Sequence, residues 1–199
     1  MSTALRIKGL TTQHVGPIDL DLNAGECVSL AGPSGAGKTL LLRSIADLDQ
    51  HTGELWLDDK PCASMRGHEW RHHVGLLAAE SQWWGETIGE HFETYDEALL
   101  EALGFSPAVM QWQVAHCSTG ERQRLALLRL LQNRPAVLLL DEPTASLDAE
   151  NVARVEALLE SLRRESGTTV LWVSHDSAQV QRVATRHLQL VDGQLQAVM

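Results

Sequence analysis

One eight-residue run constrains this chain more than any other segment: Gly32-Pro33-Ser34-Gly35-Ala36-Gly37-Lys38-Thr39. It fits the pattern G-x-x-x-x-G-K-[ST], which has physical meaning only between a strand and a helix. Both flanks supply that context. Residues 26–31 (Glu-Cys-Val-Ser-Leu-Ala) read as a buried strand, and residues 40–46 (Leu-Leu-Leu-Arg-Ser-Ile-Ala) as the first turns of a helix. Glycines let the backbone close around an anion, and several N–H groups then converge at the positive end of the helix dipole. Lys38 is placed to reach the β- and γ-phosphates of a nucleotide, and the Thr39 hydroxyl to ligate Mg²⁺. A Gly-rich turn that merely precedes a helix would leave the ordered sequence of strand, loop and helix unexplained.

The rest of the chain sets this unit in an α/β domain. Leu5-Arg6-Ile7-Lys8 and Ile18-Asp19-Leu20-Asp21-Leu22 alternate like half-buried strands, and Gly53 to Leu57 with the turn at Asp58-Asp59 reads as a hairpin. Together they predict a β-rich N-terminal region. Residues 88–117 differ: 96–103 have helical spacing, stopped by Gly104, and 109–115 read as a second short helix. Beyond them come a leucine-rich helix over 122–132, a fully buried strand over 137–140, a helix over 149–165 and a buried strand over 168–173. A short helix over 179–185 and a hairpin turning at Asp192-Gly193 complete the alternation. The expectation is one domain over 1–199: a mostly parallel sheet core, an N-terminal antiparallel β region and a small helical subdomain at about 88–117.

Composition narrows the partners. Of 199 residues, 44% are hydrophobic and no apolar run approaches a membrane span. The N-terminus lacks the basic start and apolar stretch of a signal peptide. Cys27, Cys62 and Cys117 are odd in number and unpaired in spacing, which disfavours a disulfide framework or zinc site and favours the cytoplasm. The formal net charge of −10 opposes direct binding to nucleic acid or anionic lipid. Any membrane association would therefore run through a partner protein. His68, His72 and His73 flank Trp70, an arrangement that reads as a metal site only weakly against a solvated helix face.

The strand at 137–140 delivers Asp141 and Glu142 at its carboxyl end, where open α/β sheets place ligands. Asp141 there complements Thr39 as a metal-side group, and Glu142 is placed to take a proton from an attacking water. With these residues the chain resembles the nucleotide-binding subunit of an ATP-binding cassette (ABC) protein over essentially its whole length. After the P-loop, Ser118-Thr119-Gly120-Glu121-Arg122-Gln123-Arg124 is similar to the family signature. Leu139 to Thr144 resembles the Walker B strand with its glutamate, Ser146-Leu147-Asp148 the D-loop, and Val173-Ser174-His175-Asp176 the switch histidine.

The resemblance implies a P-loop NTPase of ABC type that uses ATP and Mg²⁺. Two copies would stack head to tail, each ATP lying between Gly32–Thr39 of one and Ser118, Thr119, Gly120 and Glu121 of the other. Glu142 would orient and deprotonate water, His175 would contact the γ-phosphate, and Asp148 would cross the interface. The resemblance also implies a separate membrane-spanning subunit and a place on the cytoplasmic face of the inner membrane. Short matches around Trp84-Gly85-Glu86-Thr87 and residues 171–176 are similar to small bacterial ATPase subunits of the iron-efflux type. A soluble ABC ATPase driving a cytosolic assembly, or a regulatory cassette that scarcely hydrolyses, stays open as the alternative.

Several positions depart from the family pattern. Anchored on residues 85–90, the coupling-loop glutamine position falls on Ala79, which cannot ligate a metal; slower hydrolysis or weaker Mg²⁺ retention is expected. Thr119 replaces a signature glycine, Cys117 an aliphatic residue, and His91 an asparagine. No aromatic side chain precedes Trp56, so His14 is the best-placed planar group to stack on adenine. Trp83 and Trp84 read equally as interface anchors and as packing beneath the helical insertion.

Overall fold

The computed structural model describes residues 3–198. Two sheets share its core. The first is antiparallel, in the order β2-β1-β4-β5, from β1 (Thr3–Thr11), β2 (Ile18–Asn23), β4 (Thr52–Leu57) and β5 (Lys60–Pro61). The second has six strands in the order β10-β9-β3-β8-β7-β6. They are β3 (Cys27–Ala31), β6 (Val74–Leu77), β7 (Val137–Asp141), β8 (Thr169–Val173), β9 (Arg186–Val191) and β10 (Gln194–Ala197). All neighbours in it run parallel except β10 against β9. This is the expected pairing of a mostly parallel sheet with an antiparallel β region.

Strand alternation divides the core into two layers. Val28 and Leu30 of β3, Val137 and Leu139 of β7, and Leu171 and Val173 of β8 face the antiparallel sheet and α1 (Lys38–Ile45). Cys27, Leu138, Leu140, Val170 and Trp172 face the other way, toward α4 (Thr119–Leu131) and α5 (Ala149–Ser166). Both faces are covered, so these strands are continuously apolar. Two short helices complete the set of α-helices beside α3 below: α2 (Gly67–His73) before β6 and α6 (Ser177–Val183) before β9.

Three readings need correction. The leucine-rich helix starts at Thr119, not at 121–122, because Ser118 caps it: the Ser118 hydroxyl accepts the Glu121 N–H at 3.2 Å, and the Glu121 carboxylate accepts the Ser118 N–H at 2.7 Å. The last short helix runs over 177–183 rather than 179–185, since Asp176 accepts the N–H groups of Ala178 and Gln179 and so fixes its start. Residues 109–115 form no α-helix. They lie in two 3₁₀ turns, Pro107–Gln111 and Val114–His116, because the backbone is diverted to bonds with 86–88: Ile88 N donates to Trp112 O and Val114 N to Glu86 O, both at 2.9 Å. The helical character of 88–117 thus rests on α3 (Glu97–Ala102), capped by Asp96, and on single turns.

Candidate active site

The sheet order alone gathers the motif residues. The strands β3, β8, β7 and β6 are adjacent and parallel, so their carboxyl ends form one rim carrying, in turn, the P-loop, Ser174-His175, Asp141-Glu142 and the Ala78-Ala79 turn. Sites on such folds sit at this rim.

In the P-loop, Gly32, Gly35 and Gly37 have φ of 147°, 79° and 97°. At Gly32 a Cβ would lie 2.5 Å from the Leu190 carbonyl oxygen, and at Gly37 it would collide with Val15. Only glycine fits either position. Gly37 gives α1 no side-chain cap, which leaves the amides at that helix start to an anion. The Lys38 ammonium is buried and donates to the carbonyls of Gly32 (2.8 Å) and Pro33 (3.0 Å), folded across the loop that it would neutralise for phosphate. Pro33, Ser34 and Gly35 line the loop's outer side, and Ala36 is half-buried against the core.

Thr39 and Asp141 are in direct contact: Thr39 Oγ1 donates to Asp141 Oδ2 at 2.7 Å. This pair of hard oxygen donors beside the phosphate cradle suits Mg²⁺, which binds through a few protein oxygens plus phosphates and water. Glu142 follows with φ of 51°, leaving the strand direction, while its N–H still donates to Val173 O at 3.1 Å. His175 Nε2 lies 3.2 Å from Glu142 Oε1, and the His175 N–H also faces this carboxylate. Burial pushes the Glu142 carboxyl above the ordinary carboxylate range; His175 and Lys38 pull it back, and Asp141 adds to the rise. A carboxylate of raised pKa is a competent proton acceptor.

The remaining expected residues occupy two separate places. Ser118 and Thr119 are exposed at the start of α4, where Gly120 packs so closely on the turn before α5 that a Cβ would stand 2.8 Å from Ser146 O. The Asp148 carboxylate caps α5, accepting the Asn151 N–H at 2.9 Å, and that bond holds it below its usual range. Among the described residues, neither Ser118–Glu121 nor Asp148 bonds to the P-loop within the chain. His14 is exposed in the turn beside the P-loop, next to the Val15 that touches Gly37.

Three groups resolve differently from their sequence alternatives. Trp83 packs against the second core layer, whereas Trp84 is 74% exposed, so the adjacent pair divides between core and solvent. The Arg129 guanidinium stacks on both rings, at 4.5 Å and 4.9 Å. His91 is a loop cap: its Nε2 accepts the N–H groups of Trp84 (3.0 Å) and Gly85 (2.9 Å). Among the described residues, no group of three or more His, Cys, Asp or Glu side chains converges as a metal site, so the histidines of α2 form none. All three cysteines are free, and burial pushes the Cys27 thiol up to about 12, which makes it inert.

Sequence reasoning missed Gln179. It is buried on α6 and bonds Thr144, Ser174 and Glu156, three residues from three different segments. A polar residue on the inward face of a short amphipathic helix was the one available signal.

Comparison with known proteins agrees with this geometry. The family profile described as ABC transporter matches residues 15–145. The chain is 37% identical over 188 residues to the aliphatic sulfonates import ATP-binding protein SsuB of Pseudomonas putida, covering 89% of this chain and 67% of that protein. It is 31% identical over 215 residues to Protein STAR1 of Oryza sativa subsp. japonica, covering 98% of this chain but 62% of STAR1. The fold superposes on the dimeric structure of MJ0796, a bacterial ABC transporter cassette, with a TM-score of 0.82 at 25% identity and 96% of each chain covered. No helix among the described residues is long and apolar enough to cross a membrane.

Proposed function

The chain belongs to the ABC transporter family as an ATPase cassette, and from that premise we propose that it powers a membrane transporter through ATP-driven pairing of two copies of itself. The observation that carries this reading is the Glu142 carboxylate, raised by burial, held 3.2 Å from His175 and next to the Thr39–Asp141 pair. In the proposed reaction the P-loop amides and Lys38 bind the phosphates of ATP. Thr39 and Asp141 hold Mg²⁺, which when bound neutralises charge on the β- and γ-phosphates. Ala79 is exposed and supplies no ligand, so the metal side rests on those two residues and the expected turnover is slow.

Glu142 takes a proton from the attacking water, and His175 bridges that carboxylate to the γ-phosphate. Ser118 and the Gly120 amide close over the phosphate of the opposite copy, with Thr119 and Glu121 beside them, where the positive end of α4 favours the anion. Asp148 lies on the same exposed face and crosses to the partner. His14 stacks on the base. The exposed Trp84 is the anchor for the membrane-spanning partner: an indole left mostly in water, backed by Arg129 and His91, fits a site filled by another protein. In that arrangement the cassette sits on the cytoplasmic face through its partner and binds no nucleic acid. The relatives named above include one import protein, SsuB, while the short matches near Trp84 resemble efflux subunits; substrate and direction belong to the membrane chain.

Two measurements test the proposal. Single-turnover hydrolysis of ATP by the native chain should be lost in Glu142→Gln while ATP binding persists; equal rates would remove Glu142 from the chemistry. Affinity capture from detergent-solubilised host membranes should recover a stoichiometric multi-span protein, and Trp84→Ala should release it. Recovery from cytosol alone would overturn the transporter reading.

A further inference from the structure

The backbone ladder between β7 and β8 ends just where the chemistry begins. Asp141 still pairs with Val173 in register, and Glu142 makes one last backbone bond to Val173 before its positive φ turns it away. Past that point, among the described residues, no backbone–backbone bond ties the Glu142 loop to the His175 loop. Besides the direct approach of His175 to the Glu142 carboxylate, one side chain does. Gln179 Oε1 accepts the hydroxyl of Thr144, two residues after Glu142, and the hydroxyl of Ser174, one residue before His175, each at 3.0 Å. Thr144, Ser174 and Gln179 are 8%, 5% and 2% exposed, so water does not compete for these bonds.

The other end of the amide is equally committed. Gln179 Nε2 donates to Glu156 Oε1 at 2.9 Å, and Glu156 also accepts from Nη2 and Nε of Arg182, at 2.7 and 2.8 Å. This settles the orientation of the amide: reversed, its oxygen would face the Glu156 carboxylate. Glu156 lies on α5, the helix that Asp148 caps. A single carboxamide therefore joins the loop of the proposed base, the loop of the switch histidine and the helix leading from the interface aspartate.

We propose that Gln179 is a positioning residue for ATP hydrolysis, setting the separation of Glu142 and His175 through Thr144 and Ser174. Buried behind both loops, it acts by holding the base and histidine at their working distance. The inference rests on the proposed role of Glu142.

Single-turnover rates and ATP dissociation constants of the chain, measured for native, Gln179→Leu, Gln179→Glu, Gln179→Glu/Glu156→Gln and Glu142→Gln, test it. Loss of fixed geometry should lower the Gln179→Leu rate about tenfold to a hundredfold, with ATP affinity unchanged because the P-loop is untouched. Gln179→Glu keeps the shape and the acceptors but sets two carboxylates face to face; its rate should fall, and adding Glu156→Gln should restore it by re-creating the donor–acceptor match. This exchange also serves if the leucine variant fails to fold. A native rate in Gln179→Glu, no recovery in the double variant, or an affinity loss as large as the rate loss would overturn the inference. If Glu142→Gln hydrolyses like the native chain, the reading of Glu142 fails instead, and the two failures are distinguishable.

Discussion

Ser118 carries two roles that one pair of substitutions separates. Its oxygen accepts the Glu121 N–H and so caps α4, while its own hydrogen faces the Glu121 carboxylate. That hydrogen is the one a phosphate of the opposite copy would take. Ser118→Ala removes the cap and should cost about 1 kcal/mol, which lowers the Tm of a chain this size by about 2–4 °C. Ser118→Asp keeps the cap, since aspartate is as good at that position, and its Tm should stay near the native value. At the dimer interface the two substitutions exchange severity. A carboxylate about 4 Å from a phosphate charge, at an effective dielectric of about 20, is opposed by roughly 4 kcal/mol at each of the two sites, or at least about a thousandfold in the dimerisation constant. Thermal unfolding without nucleotide and sedimentation with ATP, the latter in a Glu142→Gln background, read the two effects independently. If the Ser118→Asp variant dimerises with ATP as tightly as the native chain, the placement of Ser118 over phosphate is refuted. Equal Tm losses in the two variants would refute the capping account.

Two further substitutions probe the rim. Thr39→Val leaves the buried Asp141 carboxylate without its hydroxyl donor, costing about 1–3 kcal/mol of stability, and should weaken the preference for MgATP over metal-free ATP by at least about tenfold; calorimetric titration with and without EDTA measures the preference, and thermal unfolding the stability. His175→Ala removes the group that holds Glu142 down against burial, so the Glu142 pKa rises further. Because the base must be deprotonated, the acidic limb of the single-turnover pH profile should move to higher pH; a limb that stays in place or moves lower would show that His175 does not tune Glu142.

The parts legible in the sequence are those whose physics is local. β3 with the P-loop, β7 with Asp141-Glu142 and β8 with Ser174-His175 are short apolar strands with their functional residues at the carboxyl end, and strand order alone brings them together. Less legible were features settled by distant partners. Residues 109–115 have helical spacing, yet bonds to Glu86 and Ile88 draw them into turns. Trp83 and Trp84 are indistinguishable as neighbours; alternation puts one on the core and the other in solvent. Gln179 is the extreme case, because its partners lie 35, 5 and 23 positions away and no spacing rule connects them.

The turn between β9 and β10 reaches back to the opposite end of the chain. Gly193 O accepts the Gly16 N–H at 2.8 Å, and a Cβ on Gly193 would stand 2.7 Å from the His14 carbonyl oxygen. The loop proposed to meet the base is thus seated on a late hairpin. Leu190 of that hairpin and Val15 of that loop also close on Gly32 and Gly37, so base and phosphate contacts share one support, and a change at residue 193 acts on both.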